Sequence, residues 1–353
     1  MKLCFVQFQW VIDDYDWHPE PIVDALADSF DAVAFSTTQT SEFKTAKLKA
    51  AIEYANDRGL YVYLWLRPGN MNWWHPDLLA TWPVGWNLLD WVPNVPKCEQ
   101  YDVSWPDFSR PETRYWIKER LVDEVKKYYA SGLTGVLYDY MRYPAKAWIV
   151  PKQVVSADDV TKLVQQTSIA MRDLNLATLA SPVDARIYDL PDGLPAGGTQ
   201  PRYQIHGQDW PTWIRNGTLD LAYMMTYCGT SGLATQWAGV PESVRQQTVS
   251  LLNVGKAITS KQDIINAHRI VTEELGGLGV AAFISHGNFP SIAESGILSA
   301  FAELPAMPII LPEPQEPGPP EPEPPEISVS AIANELNVIS ARIEQLATML
   351  ESV

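Results

Sequence analysis

The sequence predicts an α/β fold, a (β/α)8 TIM barrel, and three observations support this. Strand and helix patterns alternate eight times over about 300 residues, which is the size of such a barrel. The strands are short apolar runs closed by turn residues, as expected of strands buried on both faces of a parallel sheet. In addition, the apolar run within residues 135–144 ends in a carboxylate, Asp139, at the C-terminal end of a strand, where barrel enzymes hold their catalytic residues.

The first half of the chain supplies three strands before a long interruption. The first strand is predicted within residues 1–8, and the following elements are helices at 19–30 and 46–57 and strands at 32–36 and 60–66. Residues 67–110 then break the rhythm and contain six tryptophans. A connection of this length inside a compact domain is usually functional, so it is predicted to face the substrate.

The second half of the chain completes the eight units. Helices are predicted at residues 112–130, 157–174, 261–275 and 291–303, and strands at 135–139, 177–181, 219–225, 246–254 and 279–284. The barrel domain is therefore predicted to cover residues 1–304.

Two further segments follow the barrel. Residues 305–326 are rich in proline and glutamate, which predicts a stiff, extended linker. Residues 327–353 carry a coiled-coil seam that predicts an oligomerisation or anchoring helix, formed by Ile332, Leu336, Ile339, Ile343, Leu346 and Leu350. The seam leaves dimer and trimer open, and the alternatives are a helix that packs back onto the barrel or one that binds another protein.

Charge and composition exclude several classes of function. The net charge of −16, without any basic run, argues against nucleic acid as a partner. No apolar run approaches the roughly 20 residues of a membrane span. The three cysteines, Cys4, Cys98 and Cys228, have no CxxC spacing, which predicts free thiols. No metal or other cofactor is predicted, because the histidines lack HxH and HExxH spacing.

Asp139 is the leading candidate for a catalytic residue. Side chains alternate between the two faces of a strand, so Tyr138 and Tyr140 point away from the face that carries Asp139. Asp139 is therefore expected to point into the barrel, as nucleophile or as general acid or base. The alternative is that it only caps the next helix or pairs with Arg142.

Glycoside cleavage needs a second carboxyl group near the first. Asp184 is the predicted partner, because it follows the strand at residues 177–181, next to the strand that carries Asp139. It could equally be an exposed loop residue. The strand at residues 246–254 ends without an acid, so the common arrangement with glutamates after the fourth and seventh strands is absent.

Aromatic and polar side chains follow several of the predicted strands. Sugars stack their apolar faces on aromatic rings and use their hydroxyls for hydrogen bonds, so these residues predict a carbohydrate site. The candidate substrate-binding residues are Arg67, Asn70, Trp73, Trp74, His75, Tyr140, Arg142, Tyr227 and His286. Each alone could be structural, and only their shared position at strand ends links them. An anionic glycan is not excluded, since Arg67, Arg142 and Arg186 could form a local positive site.

These motifs resemble the glycosyl-hydrolase-like family 10, and the resemblance covers roughly residues 1–303. Residues 135–144 are similar to the family's D-G-I-x-x-D-Y-x-R-Y-P, and residues 107–114 resemble its D-P-x-x-P-E-V-R. Matching features also include residues 64–68, residues 75–77 and the strand ending at residues 223–227. The chain departs from the family at Thr134, where an acid is usual. The resemblance implies a TIM-barrel glycosidase in which Asp139 is catalytic.

The expected function is a glycoside hydrolase that acts on a polysaccharide of a host envelope or capsule. The alternative is a non-catalytic carbohydrate-binding or structural virion module on the same barrel. The N-terminus has no signal-peptide pattern. The expected setting is therefore a phage tail or virion that acts on the host cell surface, with the bacterial cytoplasm as the alternative.

Overall fold

The structure is a computed structural model. It describes residues 2–16, 18–37, 42–69, 106–143, 156–190, 198–284 and 288–307. Eight parallel strands close into a barrel, so the predicted fold class is confirmed. The predicted linker at residues 305–326 lies almost wholly outside the described residues, and the predicted coiled coil at residues 327–353 lies wholly outside them.

Eight of the ten described strands form the barrel and two form a hairpin. The strands are β1 Leu3–Val6, β2 Ala32–Ser36, β3 Tyr61–Leu66, β4 Gly135–Asp139, β5 Ala177–Ser181, β6 Ile187–Leu190, β7 Gly198–Pro201, β8 Leu221–Met225, β9 Thr248–Asn253 and β10 Gly279–Ile284. The order around the barrel is β1-β10-β9-β8-β5-β4-β3-β2. β3, β4 and β5 are therefore direct neighbours, which brings their C-terminal ends together.

Helices follow the strands and cover the outside of the barrel. They are α1 Phe8–Val11, α2 Glu20–Ala27, α3 Glu42–Asp57, α4 Pro111–Tyr129, α5 Ala157–Arg172, α6 Arg202–Ile205, α7 Trp210–Arg215, α8 Leu233–Trp237, α9 Lys261–Arg269, α10 Phe289–Glu294 and α11 Ser299–Glu303. Serine caps start two of them, because the hydroxyls of Ser156 and Ser260 accept the amides of Asp158 and Asp263. α4 starts with Pro111, the residue type favoured at a first helical position.

The sequence predicted one closing helix at residues 291–303, and this was wrong. The chain forms α10 and α11 instead, with Gly296 between them at a φ of +69°. A left-handed residue ends an α-helix, and glycine adopts that conformation without steric cost. The predicted helix at 261–275 is α9 followed by a π-helical turn at Ile270–Glu274.

The barrel interior and the space under the helices form two separate cores. The interior contains alternate residues of the strands, among them Trp65, Leu137, Leu179 and Tyr223. Tyr138 belongs to the outer core. Gly135 opens β4 without a side chain, because a Cβ there would lie 2.4 Å from the carbonyl oxygen of Ala177. The strands therefore follow the period-2 alternation that the sequence analysis assumed.

The hairpin of β6 and β7 follows β5 and was not predicted. Its strands pair antiparallel, from Ile187 opposite Pro201 to Leu190 opposite Gly198. Gly239 lets the hairpin pack closely, since a Cβ at this position would lie 2.5 Å from the carbonyl oxygen of Ala185 and 2.7 Å from Pro201. The hairpin is thus fixed beside the C-terminal end of β5.

The described part of the chain gives three findings on membranes, metals and thiols. No helix in it is long and apolar enough to cross a membrane. Within the same residues, no group of three or more His, Cys, Asp or Glu side chains could hold a metal ion. Cys4 and Cys228 are free thiols, whereas Cys98 lies outside the described residues.

Candidate functional site

Asp139 is the last residue of β4 and lies opposite Ser181 of β5. Its side chain is buried, with 4% of the residue exposed. Leu137, two residues earlier on the same face, packs in the barrel interior, and Trp65 of the interior contacts the Asp139 carboxylate. The prediction that Asp139 points into the barrel is therefore confirmed.

Two donors hold the Asp139 carboxylate, one on each oxygen. The indole Nε1 of Trp65 donates to Oδ2 at 3.1 Å, and the backbone amide of Tyr140 donates to Oδ1 at 2.8 Å. The sequence analysis missed Trp65 as a site residue. Its position two residues before Arg67, on the same face of the neighbouring strand, was the signal that could have identified it.

Burial raises the pKa of the Asp139 carboxyl above its usual range. The charges of Arg142 and Arg67, the Tyr140 amide and the Trp65 indole all act in the opposite direction without cancelling the effect of burial. The protonated form is therefore favoured more strongly in the folded protein than in an exposed aspartate. A buried acid that keeps its proton can donate it to a leaving group.

This raised pKa predicts how the free energy of unfolding depends on pH. Well below about pH 4, Asp139 is protonated in both folded and unfolded chains. As the pH rises, the unfolded chain loses the proton first, so stability falls until the pH exceeds the raised pKa of the folded state. We therefore expect the unfolding free energy of the wild type to fall relative to that of Asp139→Asn as the pH rises from about 4 to the raised pKa, and then to level off. Urea denaturation of both proteins at several pH values measures this. A difference that does not change with pH would contradict the raised pKa.

Tyr140 has a backbone conformation that is unusual for its residue type. Its φ is +57°, in the left-handed region that favours glycine. This turn directs the Tyr140 amide onto Asp139 and allows the Arg142 amide to donate to the Tyr140 carbonyl at 2.8 Å. Such a conformation costs about 1–2 kcal/mol and is often found at functional sites.

The segment after β4 is anchored by His206. The amide of Tyr143 donates to the carbonyl of His206 at 2.9 Å, and the His206 Nδ1 lies 3.2 Å from the carbonyl oxygen of Tyr143. Arg142, next to this anchor, is buried and its guanidinium carbon lies 4.7 Å from the centre of the Tyr140 ring. Within the described part of the chain, no ion pair joins Arg142 to Asp139. Arg142 therefore acts on Asp139 through its charge and not through a direct ion pair.

A row of aromatic rings extends from the Trp65 indole that contacts the Asp139 carboxylate. The rings of Trp65 and Phe283 are 6.0 Å apart edge to face, and those of Tyr227 and Phe283 are stacked at 5.3 Å. The guanidinium carbon of Arg67 lies 4.3 Å from the centre of the Trp65 ring. Tyr227 is 40% exposed. Its accessible ring offers the kind of flat surface on which a sugar stacks.

The charges at the barrel mouth act on one another. The pKa of Tyr227 is raised well above its usual range, first by desolvation of its hydroxyl and next by the charge of Asp139, while Arg142 and Arg67 lower it. Desolvation also lowers the pKa of Arg67, and Asp139 opposes this. The structure thus brings four predicted residues into one electrostatic cluster with Asp139: Arg67, Tyr140, Arg142 and Tyr227.

Two further polar groups lie at strand ends of the barrel and were not predicted. Ser36 ends β2 and Asn253 ends β9, both in register with the inward-facing residues of their strands. The Ser36 hydroxyl and the Asn253 Oδ1 are buried and accept no hydrogen bond within the described residues. Such groups could bond to sugar hydroxyls.

Asp184 lies in a different environment from Asp139. Its Oδ2 accepts a hydrogen bond from Arg202 at 2.6 Å and lies 3.6 Å from Arg186, and its Oδ1 accepts the Arg186 amide at 3.1 Å. It is buried, so the alternative of an exposed loop residue is wrong. Arg202 directly follows β7 and Arg186 directly precedes β6. Asp184 therefore ties together the two ends of the hairpin, and its catalytic role stays a prediction.

Removing Arg202 should weaken the hairpin. Arg202→Gln leaves the buried Asp184 carboxylate with one arginine fewer, and we expect a loss of about 1–2 kcal/mol in unfolding free energy because Arg202 is partly exposed. The double variant with Asp184→Asn should lose less than the sum of the single variants. The control is Arg215→Gln, which removes an exposed hydrogen bond to Thr212 and should change stability little. Strict additivity of the two losses would contradict the coupling.

Other predicted site residues lie outside the described part of the chain. These are Asn70, Trp73, Trp74, His75 and His286.

Solved structures resemble this barrel closely enough to compare folds. A GH18 chitinase from Pseudoalteromonas aurantia superposes with a TM-score of 0.52 and 11% identity, covering 85% of this chain and 100% of the chitinase. Fungal beta-1,4-galactanases superpose with a TM-score of 0.53 and 11% identity, covering 86% and 99%. The chain shares the fold of these glycoside hydrolases. No protein-family model matches it, and neither does any curated protein.

Proposed function

We propose that the protein is a glycoside hydrolase that cleaves a polysaccharide, with Asp139 as its general acid. The observation that carries the proposal is the buried, inward-facing Asp139 carboxyl, whose pKa is raised at the C-terminal end of β4. Barrel enzymes hold their chemistry at this end of the strands. The aromatic rings of Trp65, Tyr227 and Phe283 support a sugar as the ligand.

In the proposed reaction, protonated Asp139 gives its proton to the glycosidic oxygen as the bond from this oxygen to the anomeric carbon breaks. In one form of the reaction, water attacks the anomeric carbon as that bond breaks, and a second carboxylate takes the proton of the water. In the other, the second carboxylate attacks the anomeric carbon, and water then displaces it while the ionised Asp139 takes the proton of the water. Asp184 remains the predicted second carboxylate. Its ion pair with Arg202 suits a group that acts while negatively charged.

One observation favours a second candidate, a non-catalytic carbohydrate-binding or structural module. The Asp184 carboxylate is already engaged by Arg186 and Arg202, and in this second candidate it serves only to hold the hairpin. This candidate predicts that polysaccharide binds without being cleaved.

A polysaccharide degradation screen tests the proposal. The full chain is incubated with a panel of purified bacterial envelope and capsule polysaccharides, and new reducing ends are measured. The Asp139→Asn variant is the inactive control. We expect at least one polysaccharide to be cleaved by the wild type and not by the variant, whereas binding without cleavage across the panel would favour the second candidate.

We also propose that the natural substrate is a host envelope or capsule glycan and that the protein is displayed on a phage tail or virion. The aromatic and polar mouth of the barrel supports a glycan ligand. The viral setting and the coiled-coil assembly remain predictions from the sequence.

A further inference from the structure

Arg142 differs from Arg114, another deeply buried arginine, in its hydrogen-bond and ion-pair partners. Arg114 and Arg142 are both 6% exposed. Arg114 donates to the carbonyls of Phe108 and Ser109 and lies 3.5 Å from the Asp159 carboxylate. Arg142 has no such partners within the described residues, and its buried Nε has no hydrogen-bond partner there.

The lack of partners is unfavourable for Arg142, because a guanidinium carries its charge at every pH of interest. A buried charge is normally compensated by an ion pair or hydrogen bonds, and a buried donor left without them is unfavourable. The Tyr140 ring, 4.7 Å from the guanidinium carbon, offsets only part of this cost. Arg142 therefore has unused capacity to bind a planar anion such as a carboxylate.

The charges around Arg142 favour an anionic ligand. Two arginines, Arg67 and Arg142, act on the single carboxylate of Asp139. Within the described residues, two arginine charges are thus directed at one carboxylate. The whole chain, by contrast, carries a net charge of −16. The pair of arginines beside Asp139 is therefore a local exception to the acidic character of the chain.

We propose that Arg142 binds the carboxylate of an acidic sugar, so that the ligand of this site is a polyuronide or another carboxylate-bearing polysaccharide. The inference rests on the proposed function for the polysaccharide nature of the ligand. The ligand carboxylate accepts hydrogen bonds from the guanidinium, and the sugar ring stacks on the neighbouring aromatic surface of Tyr227.

Binding measurements test the inference without requiring cleavage. The affinity of the full chain is measured for oligosaccharides of polygalacturonate, alginate and hyaluronate, and for the same oligosaccharides after reduction of their carboxyl groups to alcohols. We expect at least one acidic oligosaccharide to bind tenfold to a hundredfold more tightly than its neutral counterpart. Arg142→Gln should abolish this preference, and Arg142→Lys should retain part of it.

Arg120→Gln is the matched control. Arg120 also lies over an aromatic ring, 5.3 Å from the centre of Trp116, but it is on helix α4 and lies 3.8 Å from Asp123. This variant should bind like the wild type. If Arg142→Gln does not fold, as judged by circular dichroism, the preference of the wild type and of Arg142→Lys decides the matter.

Several outcomes would overturn the inference. One is equal affinity of the wild type for acidic and neutral oligosaccharides, or no binding of any acidic one. Another is an Arg142→Gln variant that loses affinity for the acidic and the neutral oligosaccharides equally. A third is equally tight binding of dextran sulfate, which would indicate that charge alone decides binding. Release of reducing ends is measured separately. Selective binding without cleavage would reject the proposed hydrolase and keep the inference, whereas cleavage of neutral glycans alone would do the reverse.

Discussion

Asp139→Asn is expected to lower kcat about a thousandfold on any polysaccharide that the wild type cleaves. An amide of the same shape cannot give a proton to the leaving oxygen, and a general acid contributes about two to four powers of ten to a rate. The fold should survive, because the substitution removes an ionisable group from a buried position and keeps its size. The measurement is kcat from the release of reducing ends, with the melting temperature recorded beside it.

Glu124→Gln is the control for this substitution. Glu124 is also a buried carboxylate, but it lies on helix α4 and bonds to Lys127 at 2.6 Å. It should keep the wild-type kcat. Near-full activity in Asp139→Asn would show that another group supplies the proton, and equal loss in both variants would point to general destabilisation.

Gly135→Ala is expected to destabilise the barrel by about 3 kcal/mol, the upper range for an overpacked core. The added methyl would lie 2.4 Å from the carbonyl oxygen of Ala177 and 2.8 Å from the Tyr63 ring. The carbonyl belongs to the backbone of the adjacent strand, so it cannot move without disturbing the pairing of β4 with β5. The loss should appear as a lower midpoint of urea denaturation.

Gly229→Ala provides the comparison. Its added methyl would have only one neighbour within 4 Å, at 3.8 Å, and the backbone there is compatible with alanine. We expect a change of less than about 0.5 kcal/mol, as for other surface substitutions. If Gly135→Ala were as stable as Gly229→Ala, the close approach of β4 and β5 would be wrong.

Much of the fold could be predicted because each barrel strand carries its own signal. Apolar runs such as Tyr61–Leu66 and Gly135–Asp139 indicate buried strands, and eight of them allow few arrangements. The hairpin Ile187–Pro201 was missed because its polar and proline-containing strands lack the apolar pattern of a buried strand. The last two helices were predicted as a single helix because Gly296 was not recognised as a helix terminator.

The site was predictable where strand geometry alone decides it. Alternation along β4 placed Asp139 inside, and neighbouring strand ends brought Arg67, Tyr140 and Arg142 near it. Trp65 was missed because an aromatic residue within a strand resembles ordinary packing until its indole is found on a carboxylate. The pairing of Asp184 with Arg202 depends on the unpredicted hairpin, which joins residues eighteen positions apart.

The left-handed turn at Tyr140 has a consequence for how this barrel can evolve. Glycine or asparagine would adopt a φ of +57° with less strain, so drift without selection on the site should replace the tyrosine by one of them. Selection for the ring beneath Arg142 would oppose that drift. Among related chains, an aromatic residue kept at this position despite its conformational cost would therefore record a history of selection for ligand binding rather than for folding alone.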